Sequence, residues 1–514
     1  MSARHPAEGG ISLGSNEQIS SYCAAVLAGG PSERRELGDA LRRGHDVLGD
    51  AYMSTNRTSD RRASGCTYTP LPLVREMVEL AASRIDPTTV IDCGCGSGRF
   101  ALECARAFPR ARVLAVDSSE LACAMCDANA VAASLSERIE TVCSDFTELA
   151  RPRDAGRVLW VGNPPYVRHH AISPERKRWF KDACEGLGTT GSGLAGLHAH
   201  FLAHIAQCWH EGDYGMLVLS AEWLDVNYGA SMRWLLSGTL GLDYLRLFDR
   251  RAELFSGTQT TATVIGFGSP DDEATVIDGR GAEKRVELRR LRATSRWSPL
   301  LFGAEGPRTG AVRDDAVPLG TLARVHRGVV TGNNAFWVRG KGELGDIPES
   351  LTTPVVSHAR ELTGECVAQS DPDSLKRLIV IPETLEDLDD DEAAAARSII
   401  DEGRRRGVDE GYVARHRKAW WAVRPPEAPA ILMTYMGRRS PTFVVNARRL
   451  PMLNVVHGIY PLRPLSDKAL SRLVDYLNEN VRLDEGRMYC GGLVKFEPRE
   501  AEAIPVPPLS VLEA

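Results

Sequence analysis

The chain has 514 residues, too many for one compact core, so about two or three domains are expected. Its 43% hydrophobic and 25% charged content is that of a water-soluble globular protein, and no apolar run approaches a membrane span. A net charge of −6 excludes a uniformly basic nucleic-acid binder but leaves room for a local basic cleft.

The opening "MSARHPAEGG" lacks the apolar segment of a secretory signal. Twelve scattered cysteines read as free thiols of a reducing cytoplasm rather than a disulfide framework. Cys123 and Cys126 have zinc-knuckle spacing, but no second pair follows and they lie in the alanine-rich helical stretch "ELACAMCDANAVAA". They read as core, and no metal site is expected.

Residues 1–65 form an N-terminal helical extension, with helical patches in "ISSYCAAVLAG" and "ERRELGDALRRG" and no evident chemistry. From 66 to 268 the text alternates helical patterns with short β-rich runs. The strands are "TTVIDCG", "ARVLAVD", "RIETVCSD", "RVLWVGN", "YGMLVLS", "LDYLRLFD" and "TATVIGFG". Segments of helical periodicity such as "LPLVREMVELAASRI" and "GLHAHFLAHIAQCWH" separate most of them. The pattern predicts an α/β domain built on a doubly wound, mostly parallel sheet. Residues 269–317 are charged and turn-rich and read as a connecting segment. Residues 318–514 change texture, with aromatic, Arg, Gly and Pro clusters around an acidic helix, "LEDLDDDEAAAARSIIDEG". They predict a separate domain.

"VIDCGCGSGRF" puts Asp92, Gly94, Gly96 and Gly98 between a strand and a helix, where backbone N–H groups can face a ligand. Alone, such a turn suits a dinucleotide, a nucleoside or nothing. Asp117 ends the next strand, where a carboxylate can accept both ribose hydroxyls. Asp145 and Phe146 end the third, offering an acceptor for an exocyclic amine and a ring to cover a purine. Three acidic strand ends in register describe an adenosine pocket. The Gly-x-Gly-x-Gly spacing suits S-adenosylmethionine better than NAD.

"VLWVGNPPYVRHH" ends the fourth strand on Asn163, Pro164, Pro165 and Tyr166, on the same sheet edge. An exocyclic amine on adenine is a poor nucleophile because its lone pair is delocalised into the ring. Acceptors from the Asn163 side chain and the Pro164 carbonyl would turn that lone pair toward a methyl donor. The prolines hold the acceptors still, and Tyr166 would stack on the base. Methylation of cytosine carbon would need a thiolate beside the motif, and this stretch has none.

In order and content these motifs resemble the gamma-class N6-adenine DNA methyltransferases of restriction–modification systems, the TaqI-like family. The likeness runs over most of the chain. It implies the class I S-adenosylmethionine-dependent methyltransferase fold with a C-terminal DNA target-recognition domain. "CTYTPLPLVREMVELA" is similar to the motif preceding the glycine turn, which places Tyr68, Thr69 and Pro70 near the methionine part of the cofactor. "AELFSGTQTTATVIGF" resembles the segment whose aromatic residue, here Phe255, packs on the flipped base opposite Tyr166. "HRGVVTGNNAFW" and "YCGGLVKFEPREAEAIPVP" resemble the target-recognition region. The first 65 residues have no counterpart in the family pattern.

A paired adenine must be rotated out of the duplex to reach such a site, at about a few kcal/mol. Candidate DNA contacts in the second half are Arg324, Arg327, Asn333, Arg415, Arg417, Lys418, Arg438, Arg439 and Lys495, interleaved with Trp420 and Trp421. The reading is a monomeric cytoplasmic enzyme acting on double-stranded DNA, with a separate cognate restriction endonuclease as its partner. The same Asn-Pro-Pro-Tyr loop also suits adenine in RNA or glutamine in a protein, and an inactive DNA-binding scaffold is a further alternative.

Overall fold

The computed structural model describes residues 11, 13–56, 65–248, 262–269, 271–279, 281–302, 315–362, 374–489 and 493–514. The chain divides into two compact units, Met1–Gly303 with Met488–Gly492, and Ala304–Arg487 with Leu493–Ala514.

The first unit is organised by a nine-stranded sheet. Its strands are β1 (Thr89–Cys93), β2 (Arg112–Asp117), β3 (Ile139–Cys143), β4 (Val158–Gly162), β5 (Tyr214–Ser220), β6 (Leu242–Leu247), β7 (Ala262–Phe267), β8 (Glu273–Ile277) and β9 (Glu283–Glu287). Their order is β3-β2-β1-β4-β5-β7-β6-β8-β9. Strands β1 to β5 run parallel, while β7 is antiparallel to both β5 and β6. Because β1 and β4 are neighbours, with Asp92 opposite Val161, the turns leaving them open side by side. Every residue of β1, β4, β5 and β7 is buried, as expected for strands covered on both faces. Among the helices are α1 (Asn16–Leu27), α2 (Pro31–Arg42), α3 (Val47–Thr55), α4 (Leu71–Ala82), α5 (Arg99–Ala107), α6 (Glu120–Ala132), α7 (Pro174–Gly186) and α8 (Leu197–Gln207).

Within the stretch read as a connecting segment, Glu273–Ile277 and Glu283–Glu287 are strands of this sheet. β8 pairs with β6, and β9 pairs with β8 at the sheet edge. Ala274, Val276, Val286, Trp297 and Leu301 join the core of the first unit. The edge strand β9 carries charged residues toward solvent and against stray pairing, which hid the alternation in "EKRVE". The N-terminal helices also belong to this unit: α1 and α2 lie on α6, and Ile19, Cys23, Leu37 and Leu48 share a core with Ala122 and Met125.

The second unit holds a four-stranded antiparallel sheet, in spatial order Ala323–Arg327, His457–Pro461, Ile431–Met433 and Phe443–Val445. The acidic helix spans Asp390–Arg405 and is closed by a capping box between Asp389 and Glu392. Its acids lie in the first turn, where the helix dipole favours them. Every described cysteine is a free thiol. Among the described residues, no helix is long and apolar enough to cross a membrane.

Candidate active site

The turn after β1 hangs from β2, since the Gly94 and Cys95 N–H groups both donate to the Val116 carbonyl at 2.9 Å. Asp92 is fully buried and accepts from Ala101 N at 3.0 Å, satisfying a first-turn donor of α5. Its other oxygen has no partner among the described residues, and burial pushes the carboxyl up to about 8. Asp117 joins the turn to α6, with Gly96 N at 3.0 Å on one oxygen and Ser119 N at 2.9 Å on the other. Burial raises its carboxyl as well. Gly96 has φ +56°, and a Cβ there would stand 2.8 Å from the Tyr68 ring. Only glycine lets the turn pass so close beneath that ring.

The Asn-Pro-Pro-Tyr stretch sits directly beside this turn. A Cβ placed on Gly94 would stand 3.8 Å from the Asn163 carbonyl oxygen and 3.9 Å from Pro165 Cδ. The Asn163 amide nitrogen donates to the Thr67 carbonyl at 2.9 Å, which fixes the direction of the side chain. Its amide oxygen is buried and has no partner among the described residues. A buried acceptor left open costs about 1–3 kcal/mol. Tyr166 N donates to the Gly65 carbonyl at 3.0 Å, so the segment before α4 braces the motif at both ends. The Tyr166 ring meets His198 of α8 edge-on, with centroids 6.4 Å apart. Burial lowers the His198 imidazole to about 4, so it is neutral.

Other candidates are placed as follows. Tyr68 stacks on Tyr52 of α3 with centroids 5.6 Å apart, and the buried Thr69 hydroxyl has no partner among the described residues. Pro70 caps the start of α4. Gly98 closes the turn, donating to Cys95 O at 2.8 Å. Asp145 is less open than expected. One oxygen holds the Thr147 amide and hydroxyl at 2.9 and 2.8 Å, and the other contacts the Arg176 guanidinium. Phe146 corrects the expectation of a pocket ring: it is 3% exposed and packs in the core on Phe201, Trp160 and His204. Sequence could not tell a core ring from a pocket ring at that strand end. Phe255 lies outside the described residues.

In the second unit, Arg327 and Lys495 both pair with Glu497, and Lys495 lies over the Tyr435 ring. Arg417 donates to the carbonyls of Val330 and Thr331 at 2.6 and 3.1 Å, bracing that loop. Asn333 is exposed and caps a short helix through Phe336 N at 3.2 Å. Arg324 donates to the Gly320 carbonyl, and Lys418 lies 3.5 Å from Glu383. Arg415, Arg438 and Arg439 are exposed. The indole N–H of Trp421 is used on Pro382 O at 3.1 Å, and Trp420 and Trp421 are both partly buried against a core of this unit.

Residues 309–514 match the family described as the C-terminal domain of the type II methyltransferase M.Eco57I, and residues 90–191 match a methyltransferase domain. The type II methyltransferase M.XamI of Xanthomonas campestris pv. amaranthicola is 38% identical over 461 residues, covering 88% of this chain and 86% of that protein. The chain belongs to the type II methyltransferases. They are enzymes of restriction–modification systems that act on DNA, and S-adenosylmethionine is the methyl donor. The methyltransferase has the class I fold followed by an M.Eco57I-type C-terminal domain, as the motif order implied. A solved structure of the restriction–modification enzyme MmeI with DNA superposes with a TM-score of 0.58 at 14% identity, covering 87% of this chain and 70% of that one, a likeness of fold. Release factor glutamine methyltransferase of Moorella thermoacetica is 40% identical, but over only 99 residues, 19% of this chain and 34% of that protein.

The site of the methyltransferase fits its cofactor. The turn is built from left-handed glycines, the buried Asp92 oxygen and Thr69 hydroxyl have no partner among the described residues, and Gly94 lies in van der Waals reach of Asn163 and Pro165. S-adenosylmethionine, when bound, supplies a methyl group on a positively charged sulfur. Residues that sequence reasoning passed over also shape the site: Thr67 orients Asn163, while Asp46, Tyr52, Arg99 and Asn129 lie behind the turn. Asp46 and Tyr52 lie outside the two helical patches read from the sequence.

Proposed function

We propose that this methyltransferase modifies the N6 amine of an adenine rotated out of double-stranded DNA. The observation that carries the reading is the buried side-chain amide oxygen of Asn163, without a partner among the described residues, on a residue whose backbone carbonyl stands beside the glycine turn. Hydrogen bonds from the amine to that oxygen and to the Pro164 carbonyl would pyramidalise the nitrogen and direct its lone pair at the methyl carbon. The nitrogen would then accept the methyl group that bound S-adenosylmethionine supplies, and, once positively charged, would lose its proton to water. Asn163 is neutral and acts by position, since no strong base is needed before attack. Tyr166 would hold the base by stacking. Asp117 would take the ribose hydroxyls, and Asp145 would reach the cofactor's adenine amine once Arg176 turns aside. The second unit would supply phosphate and groove contacts from its exposed arginines and pay for base rotation.

The glutamine and RNA alternatives are disfavoured by extent. The release-factor enzyme matches only 99 residues, 19% of this chain, whereas M.XamI matches 461 residues, 88% of it. Labelled methyl transfer onto duplex DNA, RNA and protein, followed by nucleoside analysis, is the test. N6-methyldeoxyadenosine from duplex DNA is expected, and label confined to protein or RNA refutes the proposal. In the cell, the enzyme would work in the cytoplasm as a monomer, protecting sites cut by a separate cognate endonuclease.

A further inference from the structure

Helix α3 reaches the cofactor turn from behind at two points. At its start, Asp46 is 2% exposed and accepts from four donors. Gly49 N at 3.0 Å is the ordinary helix cap. The other three come from elsewhere in the chain: Ser97 Oγ at 2.5 Å, Arg99 Nε at 2.6 Å and Asn129 Nδ2 at 3.3 Å. Ser97 lies inside the glycine turn, Arg99 opens α5 and Asn129 lies in α6. Asn129 also donates to the Ser97 carbonyl at 2.9 Å. Arg99 continues the connection to Thr69 O at 2.9 Å and Asp50 at 2.6 Å.

One turn further along, Tyr52 stacks on Tyr68 with an interplanar angle of 12°, and Arg99 stands 5.5 Å over the Tyr68 ring. That ring is the surface against which Gly96 is packed. A cap alone needs one donor. Burying a carboxylate with three more, all directed at the glycine turn or at the helices flanking it, is a costly arrangement unless the shape of the turn depends on it.

We propose that α3 is a positioning element for the cofactor turn: Asp46 locks the Ser97–Arg99 corner and Tyr52 backs Tyr68, so affinity for S-adenosylmethionine is set in part by the N-terminal helices. The inference rests on use of that cofactor and is independent of which base receives the methyl group.

A buried carboxylate remote from the turn provides the control. Asp213 is 2% exposed and accepts from Val158 N at 2.9 Å, His210 N at 3.1 Å and Arg151 at 2.5 Å, at the end of β4 opposite Asn163. In Asp46→Asn, a side chain with one acceptor oxygen and an NH₂ group meets the same four donors, so part of the set is lost. The full-length chain is titrated calorimetrically with S-adenosylhomocysteine and with S-adenosylmethionine, alongside melting curves and steady-state kinetics. Asp46→Asn is expected to raise both dissociation constants and the cofactor KM about tenfold or more, with kcat at saturating cofactor and KM for DNA nearly unchanged. Asp213→Asn is expected to lower the melting temperature without moving cofactor affinity. If Asp46→Asn does not fold, Tyr52→Leu decides, with the same rise in the cofactor constants expected. Unchanged cofactor affinity in the deciding variant overturns the proposal. So does a loss of affinity in Asp213→Asn that matches its loss of stability.

Discussion

Asn163→Ala separates function from stability, because the two effects of the side chain on folding oppose each other. The amide nitrogen makes one hydrogen bond, to Thr67 O at 2.9 Å, and such a bond contributes about 1 kcal/mol. The amide oxygen is buried without a partner, at a cost of about 1–3 kcal/mol that the substitution removes. The second effect is at least as large as the first, so the variant should melt at or slightly above the wild-type temperature. Turnover should move the other way. Removing one preorganised partner from a reacting group costs about 2.7–4 kcal/mol of transition-state stabilisation, or about 10²–10³ in kcat. Cofactor affinity should stay put, since Asp92, Asp117 and the glycine turn are untouched. Single-turnover transfer of labelled methyl to duplex DNA, with calorimetric binding of S-adenosylhomocysteine, measures both quantities. A variant that transfers methyl within about threefold of wild type would refute the role given to this oxygen, because no preorganised contact of that size would then be at stake.

Gly96→Ala forces a Cβ to within 2.8 Å of the Tyr68 ring at φ +56°, so cofactor binding should weaken about tenfold or more, read by titration, with DNA binding retained. His198 and His200 are held neutral by burial, each lowered from 6.5 to about 4. A depressed histidine favours the folded state above its unfolded value, and that contribution is lost as pH falls from 6.5 toward 4. Melting temperature should therefore drop across that window, and less steeply in His198→Gln. Arg415→Ala and Arg439→Ala should each weaken duplex binding and reduce the slope of log affinity against log salt by about 0.9 if each side chain meets one phosphate. Arg417→Ala should instead lower the stability of the second unit, because its guanidinium is spent on Val330 O and Thr331 O.

The first seven strands were legible because each is a short apolar run bounded by turn residues, and the glycine turn, Asp117 and Asn163 all stand at strand ends. Two kinds of feature were not. β9 carries edge-strand charges and β8 is short and set among acidic turn residues, so both resemble a linker, although Val276 and Val286 are buried in the core. Contacts between distant segments left no local trace: nothing near Asp46 announces Ser97 or Asn129, and nothing near Thr67 announces Asn163. Phe146 shows the converse error, a residue type that suits a pocket but is better buried among Phe201, Trp160 and His204. Basic–aromatic interleaving left the packing of Trp420 and Trp421 open, and both rings are partly buried against a core.

Base-resolution sequencing of genomic DNA from cells expressing the wild-type chain or Asn163→Ala, side by side, is the most direct test of the catalytic assignment. Methylation at adenine N6 within one short recognition sequence is expected from the wild type, and almost none from the variant. A mark on cytosine, or equal adenine marks from both proteins, would contradict it.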